Sequence, residues 1–179
     1  MTTTTRLQKA IAVLSRIESG INTVKGPNSQ FKVYGLLAGG CARDVHFGKE
    51  PKDWDIVFGR DVSLSQIEFS LREANVSGWK VFPFYNTGPK DRIKLCVKFK
   101  IDGEQYDILV YDVDTAYKAV AEFDFNLNQF IIDKQFNAAI YVGGTDLEKS
   151  LVAIRGDHSV ERGMKMHHKY AGLKAEGKL

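Results

Sequence analysis

Asp53 and Asp55 are two carboxylates one residue apart, a short way downstream of the paired glycines Gly39-Gly40. In an extended segment the side-chain period of two turns both carboxylates to one face and Trp54 to the other. Neighbouring acids repel, so such a pair calls for a cation, and hard oxygen donors suit Mg2+ or Mn2+. Two metal ions held there clamp a polyphosphate and activate an attacking hydroxyl for in-line displacement. An Asp-X-Asp on its own more often caps a loop. The neighbouring glycines are what favour chemistry.

Gly39-Gly40 falls between an apolar run over 33–38 and a short helix predicted over 41–47. Glycine lets a phosphate approach the backbone, and the first N–H groups of a helix point at it. Arg43 adds a positive charge one turn later. Paired glycines at such a junction also serve tight packing alone, so the signal gains its meaning from the spacing to Asp53 and Asp55. A third carboxylate would complete the cluster. Asp107 is the choice, because it opens the apolar run 107–110, which is able to lie beside the Asp55 strand; Asp112 is the rival.

These residues need a scaffold. Leu7, Ile11, Leu14, Ile17 and Ile21 recur at spacings of three and four, which predicts an opening amphipathic helix packed on a sheet. A break over 26–29 precedes the 33–38 strand, and 55–58 reads as the next strand. Ser63 is a candidate N-cap for a helix carrying Leu64, Ile67, Phe69 and Leu71. Strands are expected over 79–84, 92–99 and 105–111, the last two joined as a hairpin by Asp102-Gly103. A helix over 114–120, paired strands over 130–132 and 138–142, and a last helix opened by Ser159 complete the order. The pattern predicts an α/β (α+β) fold, a mixed and mainly antiparallel sheet backed by helices with the two-metal site at one edge.

A chain of 179 residues can bury a core of its own, and 44% hydrophobic with 26% charged residues matches a soluble globular protein. Cys41 and Cys96 form no CxxC pair, which suits a reducing cytoplasm. No apolar run reaches membrane-spanning length, and no secretory leader is evident. The helix over 6–16 is basic and free of acids, like some organelle transit segments, but reads as part of the fold. The net charge of +3 permits a polyanionic partner without requiring one. Arg162, Lys165, His167, His168, Lys169, Lys174 and Lys178 crowd the last stretch, either to neutralise phosphates or as a solvated helix face. His46 reads as a helix-surface residue, and His167-His168 has no acids at zinc-ligand spacing. Phe82, Phe84, Tyr85, Phe123 and Phe125 serve either as base-stacking platforms or as core.

Gly39-Gly40-Cys41-Ala42-Arg43-Asp44, Gly48, Pro51 and Asp53-Trp54-Asp55 resemble the head-domain signature of the tRNA CCA-adding and poly(A) polymerase family. That family belongs to the polymerase β-like nucleotidyltransferases. The resemblance continues through Asp124-Phe125-Asn126-Leu127-Asn128, through Gly143-Gly144-Thr145-Asp146-Leu147, and on to Ile154-Arg155 with Gly156-Asp157. It implies a metal-dependent transfer of a nucleoside monophosphate from an NTP to an acceptor hydroxyl, an RNA or tRNA 3′ end, with release of pyrophosphate. It also implies that Gly39, Gly40 and Arg43 hold the triphosphate, that Asp53, Asp55 and Asp107 hold Mg2+ with Asp107 aiding deprotonation, and that Asp124 and Asn128 shape the nucleotide pocket.

Two departures stand out. Glu122 and Phe123 replace a pair of arginines that contact nucleotide in the family. The family's head is followed by a helical neck, and Glu161-Arg162 with Lys165 and Lys169 resembles its first helix. The expected division is therefore a catalytic domain over 1–158 and a basic helix over 159–179, without room for tRNA-gripping domains. That leaves open a stand-alone transferase acting on a protein or metabolite, or an inactive nucleotide-binding module.

Overall fold

The computed structural model describes residues 3–26, 31–83 and 92–179. The opening stripe forms α1 (Thr3–Lys25), which buries Leu7, Leu14, Ile17 and Ile21. It leads into β1 (Leu36–Leu37), α2 (Gly40–His46), β2 (Trp54–Phe58) and α3 (Leu64–Glu73). β3 (Lys80–Pro83), β4 (Ile93–Ile101) and β5 (Glu104–Tyr111) follow, then α4 (Ala116–Ala121). A 3-10 turn at Asn126–Asn128, β6 (Phe130–Asp133), β7 (Ala138–Tyr141) and α5 (Val160–Ala175) end the chain. The expected break at 27–29 and the aromatic candidates Phe84 and Tyr85 lie outside the described residues.

The five-stranded sheet has the order β1-β2-β5-β4-β3, and β6 and β7 form a separate pair. Only β2 and β5 run parallel in the large sheet, the other pairs being antiparallel. Asp102 and Gly103 both take positive φ, 51° and 82°. That is the geometry of a tight hairpin turn whose twist matches the strands, and it fixes the register of β4 on β5.

Alternation along β2 divides the core in two. Trp54, Ile56 and Phe58 join Ile108, Val110, Val97 and the buried stripe of α1 in one cluster, which also takes Ile67 and Leu71 of α3. Val57, on the other face, packs with Leu36, Ala38, Ile131 and the α4 residues Ala116, Ala119 and Val120. The face that carries Asp53 and Asp55 is the second. Met166 and Leu173 of α5 are buried in the first cluster, so the terminal helix packs on the rest of the chain.

The first sheet strand is shorter than the run 33–38 suggests. Asn22 of α1 donates to the Val33 carbonyl at 2.9 Å and accepts the Val33 N–H at 2.8 Å, while Glu18 accepts the Gly35 N–H at 2.8 Å. Side chains of α1 thus supply the partners a sheet neighbour would have given.

α3 starts where the sequence places it. The Ser63 hydroxyl accepts from Gln66 N, and the Gln66 amide oxygen accepts from Ser63 N at 2.8 Å, a complete capping box. Ser63→Ala should lower stability by about 1 kcal/mol, measured by urea unfolding, without change in the unfolding slope. Among the described residues no helix is long and apolar enough to cross a membrane.

Candidate active site

The strand period places the two acids as expected. Asp53 immediately precedes β2 and Asp55 is its second residue, and both line a cavity of about 700 Å3. Trp54 between them is fully buried in the opposite face. Asp55 stands in register with Asp107 on the parallel strand β5, so the three carboxylates share one face of the sheet. Burial, and then the charges of Asp53 and Asp107, push the Asp55 carboxyl up to about 7.

Asp107 reaches the same face but does not line the cavity. Lys98 lies directly across on β4 and forms an ion pair with one Asp107 oxygen, and Gln105 Nε2 donates to the other at 2.8 Å. The carboxylate is only 6% exposed. Among the described residues no three His, Cys, Asp or Glu side chains converge as a metal-holding group. Asp53 and Asp55 bring two carboxylates, hard oxygen donors, to the cavity wall, while Asp107 is drawn toward a lysine. The rival Asp112 pairs with Lys94 at 3.9 Å and is not part of the cavity wall.

The residue before the double glycine is tied to Asp55 through the backbone, and Gly39 is tied to β6. Ala38 N donates to the Asp55 carbonyl at 3.1 Å, and Gly39 N donates to the Phe130 carbonyl at 2.9 Å. Gly39 has φ 77° and ψ −129°, a conformation that L side chains rarely adopt. A Cβ there would also stand 3.3 Å from the Phe123 ring and 3.9 Å from Asp55 Oδ2. The positive φ calls for glycine and the ring contact is tight besides, and the backbone at the start of α2 lies close to the Asp55 carboxylate.

Arg43 lines the cavity as expected of a site residue, with its guanidinium already engaged. Its guanidinium is 4% exposed and committed: Nη2 and Nε donate to Asp44 Oδ1 at 2.6 and 2.9 Å, and Nη1 donates to Asn128 Oδ1 at 3.0 Å. Asn128 in turn donates to Asp124 Oδ1 at 2.9 Å, and Arg162 Nε donates to Asp124 Oδ2 at 2.6 Å. The residues expected to shape the pocket thus form one chain from α2 through the 3-10 turn to α5. Burial works to raise the Asp124 carboxyl, but Arg162 first and then Asn128 and the Phe125 N–H outweigh it and hold it below the usual value.

Several cavity residues were not singled out as site residues from sequence. Arg162 and Lys169 reach it from α5, and Arg155 reaches it bound to Asp157 through two 3.0 Å hydrogen bonds. Ile93, Leu109, Tyr111 and Phe123 make the opposing wall, with Tyr111 and Phe123 rings 5.8 Å apart. Of the aromatic candidates, Phe123 faces the cavity, while Phe125 is buried against His158. Glu122 is ion-paired with Arg92. The α5 residues did leave a signal: Arg162, Met166, Lys169 and Leu173 recur at helical spacing, so one buried face had to carry both cations.

No protein-family model matches the sequence, and neither does any curated protein. Solved structures do match the fold. A tRNA-processing enzyme in an apo form aligns with a TM-score of 0.52 at 18% identity over 78% of this chain and 37% of its own. A CCA-adding enzyme with CTP gives 0.51 at 20% identity over 78% and 31%, and a CCA-adding enzyme with ATP gives 0.50 at 20% over 75% and 30%. The chain spans about a third of the length of these structures. At that identity the likeness is one of fold, and the chain has the mixed α+β fold of the nucleotidyltransferase head domain of the CCA-adding enzymes.

Proposed function

We propose that this protein is a metal-dependent nucleotidyltransferase that moves a nucleoside monophosphate from an NTP to the 3′ hydroxyl of an RNA, a tRNA being the first candidate. The observation that carries the reading is that Gly39, Gly40, Asp53 and Asp55 line one cavity, with Ala38 N, next to the glycines, bonded to the Asp55 carbonyl. Matched structures bound to ATP and CTP support a nucleotide substrate. The buried free thiols of Cys41 and Cys96 suit a reducing cytoplasm.

In this reading Asp53 and Asp55 hold Mg2+ or Mn2+. The ion supplies Lewis-acid polarisation of the phosphate oxygens and lowers the pKa of the acceptor hydroxyl. The acceptor oxygen bonds to the α-phosphorus as the bond from that phosphorus to the α–β bridging oxygen breaks, and pyrophosphate leaves. Gly39 and Gly40 admit the triphosphate close to the backbone. Asp107 joins the carboxylates by exchanging its Lys98 partner and takes the hydroxyl proton. Arg43, Asn128 and Asp124 hold the pocket wall together, because Arg43 donates to Asn128 and Asn128 to Asp124.

The wall of Ile93, Leu109, Tyr111 and Phe123 carries no charge and favours a flat apolar group such as the terminal base of the acceptor. Phe123→Ala with Tyr111→Ala is expected to raise KM for the RNA acceptor roughly tenfold, with KM for the NTP little changed. Separate titrations of the two substrates check this.

The function itself is tested by incubating the protein with each labelled NTP, Mg2+ and total RNA. Label in RNA supports the proposal. Label in protein or in a small product moves the acceptor to another class, and no transfer from any NTP overturns the reading.

A further inference from the structure

Among the described residues four cations line the cavity, and three are already committed. Arg43 is bound to Asp44 and Asn128, Arg155 to Asp157, and Arg162 to Asp124. Lys169 lines the same cavity and makes no hydrogen bond or ion pair with any described residue. Its position follows from the register of α5. Met166 and Leu173 are buried, and Arg162 is latched to Asp124, so the face shared by 162, 166, 169 and 173 is turned inward. Lys165, His167, His168 and Lys174 are exposed on the other faces.

An ammonium group in that setting is costly to keep. Burial first, and then the charge of Arg43, pull the Lys169 pKa down to about 8, with Lys165 and Arg162 adding and Asp44 opposing. A residue of mere structural use at an inward position would be apolar. A polyphosphate entering beside Gly39 and Gly40 meets Arg43 already engaged by Asp44 and Asn128, and Lys169, which has no acceptor among the described residues, with three N–H groups to donate.

We infer that Lys169 is the residue that grips the triphosphate tail of the nucleotide, the β- and γ-phosphates that leave as pyrophosphate. This rests on the nucleotidyltransferase reading and names a contact within it. The terminal helix is then part of the substrate site, braced there by the Arg162–Asp124 pair. Among the described residues the cation has no acceptor, and binding the anion supplies one.

The test is calorimetric titration of inorganic tripolyphosphate, with and without Mg2+, into the full chain and its variants. Lys169→Met should weaken binding roughly ten- to a hundredfold, the value of one or two hydrogen bonds to a charged group. Lys169→Arg should recover most of it, and Lys174→Met, on the exposed face, should leave it unchanged. Lys169→Met should also melt higher than the wild type without ligand, an outcome a packing role would reverse. Lys169→Gln keeps a polar head and stands in if the methionine variant does not fold. Tripolyphosphate binding that is unaffected by both Met and Gln overturns the inference and leaves the nucleotidyltransferase reading intact. A wild-type protein that binds neither tripolyphosphate nor any NTP overturns both.

Discussion

Replacing Asp53 and Asp55 together by asparagine is expected to lower nucleotide transfer by about a thousandfold or more, several kcal/mol of transition-state stabilisation. The same change is expected to raise the melting temperature of the metal-free protein. Asparagine keeps the shape and removes the charges that repel across β2 and β5, where Asp55 stands in register with Asp107. The sign follows from the Asp55 carboxyl, whose pKa rises on folding from 3.8 to about 7, through burial first and then Asp53 and Asp107. A carboxyl raised on folding costs nothing below its unfolded value and its full penalty above its folded one. The advantage of the variant should therefore grow as pH climbs from about 4 to 7 and then level off.

Magnesium should stabilise the wild type and leave the variant unchanged. It relieves the repulsion in the wild type, so melting should rise with Mg2+ there and stay flat in the variant. Thermal melts across pH with and without Mg2+, beside single-turnover kinetics, check both halves. A variant that retains transfer, or a wild-type melt indifferent to Mg2+ and Mn2+, would sink the assignment of these acids as metal ligands.

Much of this site could be read from the residues because local rules govern it. The strand period alone turns Asp53 and Asp55 to one face and buries Trp54, and a two-residue turn at Asp102-Gly103 fixes the hairpin. Counting outward from that turn also puts Lys98 opposite Asp107, so the ion pair that holds the third carboxylate was latent in the sequence. The commitment of Arg43 was not. Its partner Asn128 is 85 positions away, and nothing local shows that a guanidinium beside two glycines is already satisfied. β1 is likewise shortened by Asn22 and Glu18, polar side chains whose reach across to 33–35 depends on where α1 docks. The contribution of α5 lies between these cases, since its inward face was periodic but the cavity it faces is assembled from distant segments.

Asp124→Ala is expected to release that helix. The substitution strips the acceptor from Arg162, from Asn128 Nδ2 and from the Phe125 N–H at once. Removing one partner of a fully buried ion pair costs about 3–5 kcal/mol, but Arg162 is 40% exposed, so solvent recovers part of the loss and about 2 kcal/mol is expected. The functional loss should exceed the stability loss. α5 is braced to the 3-10 turn by this pair, and loosening its first turns moves Lys169 away from the phosphates. The kcat/KM for the NTP should fall about a hundredfold, mostly through KM, and amide exchange should speed up along the start of α5. Arg162→Met gives the control, because the double variant should be little worse than Asp124→Ala alone if the two act as one latch. Strictly additive losses would separate them. Acid should imitate the mutation: the Asp124 carboxyl is held below its ordinary 3.8, so its contribution is complete above that value and lost as pH falls through the lower folded one. Protection along α5, measured against the intrinsic exchange rate at each pH, should then fall in acid in the wild type and show no such step in Asp124→Ala.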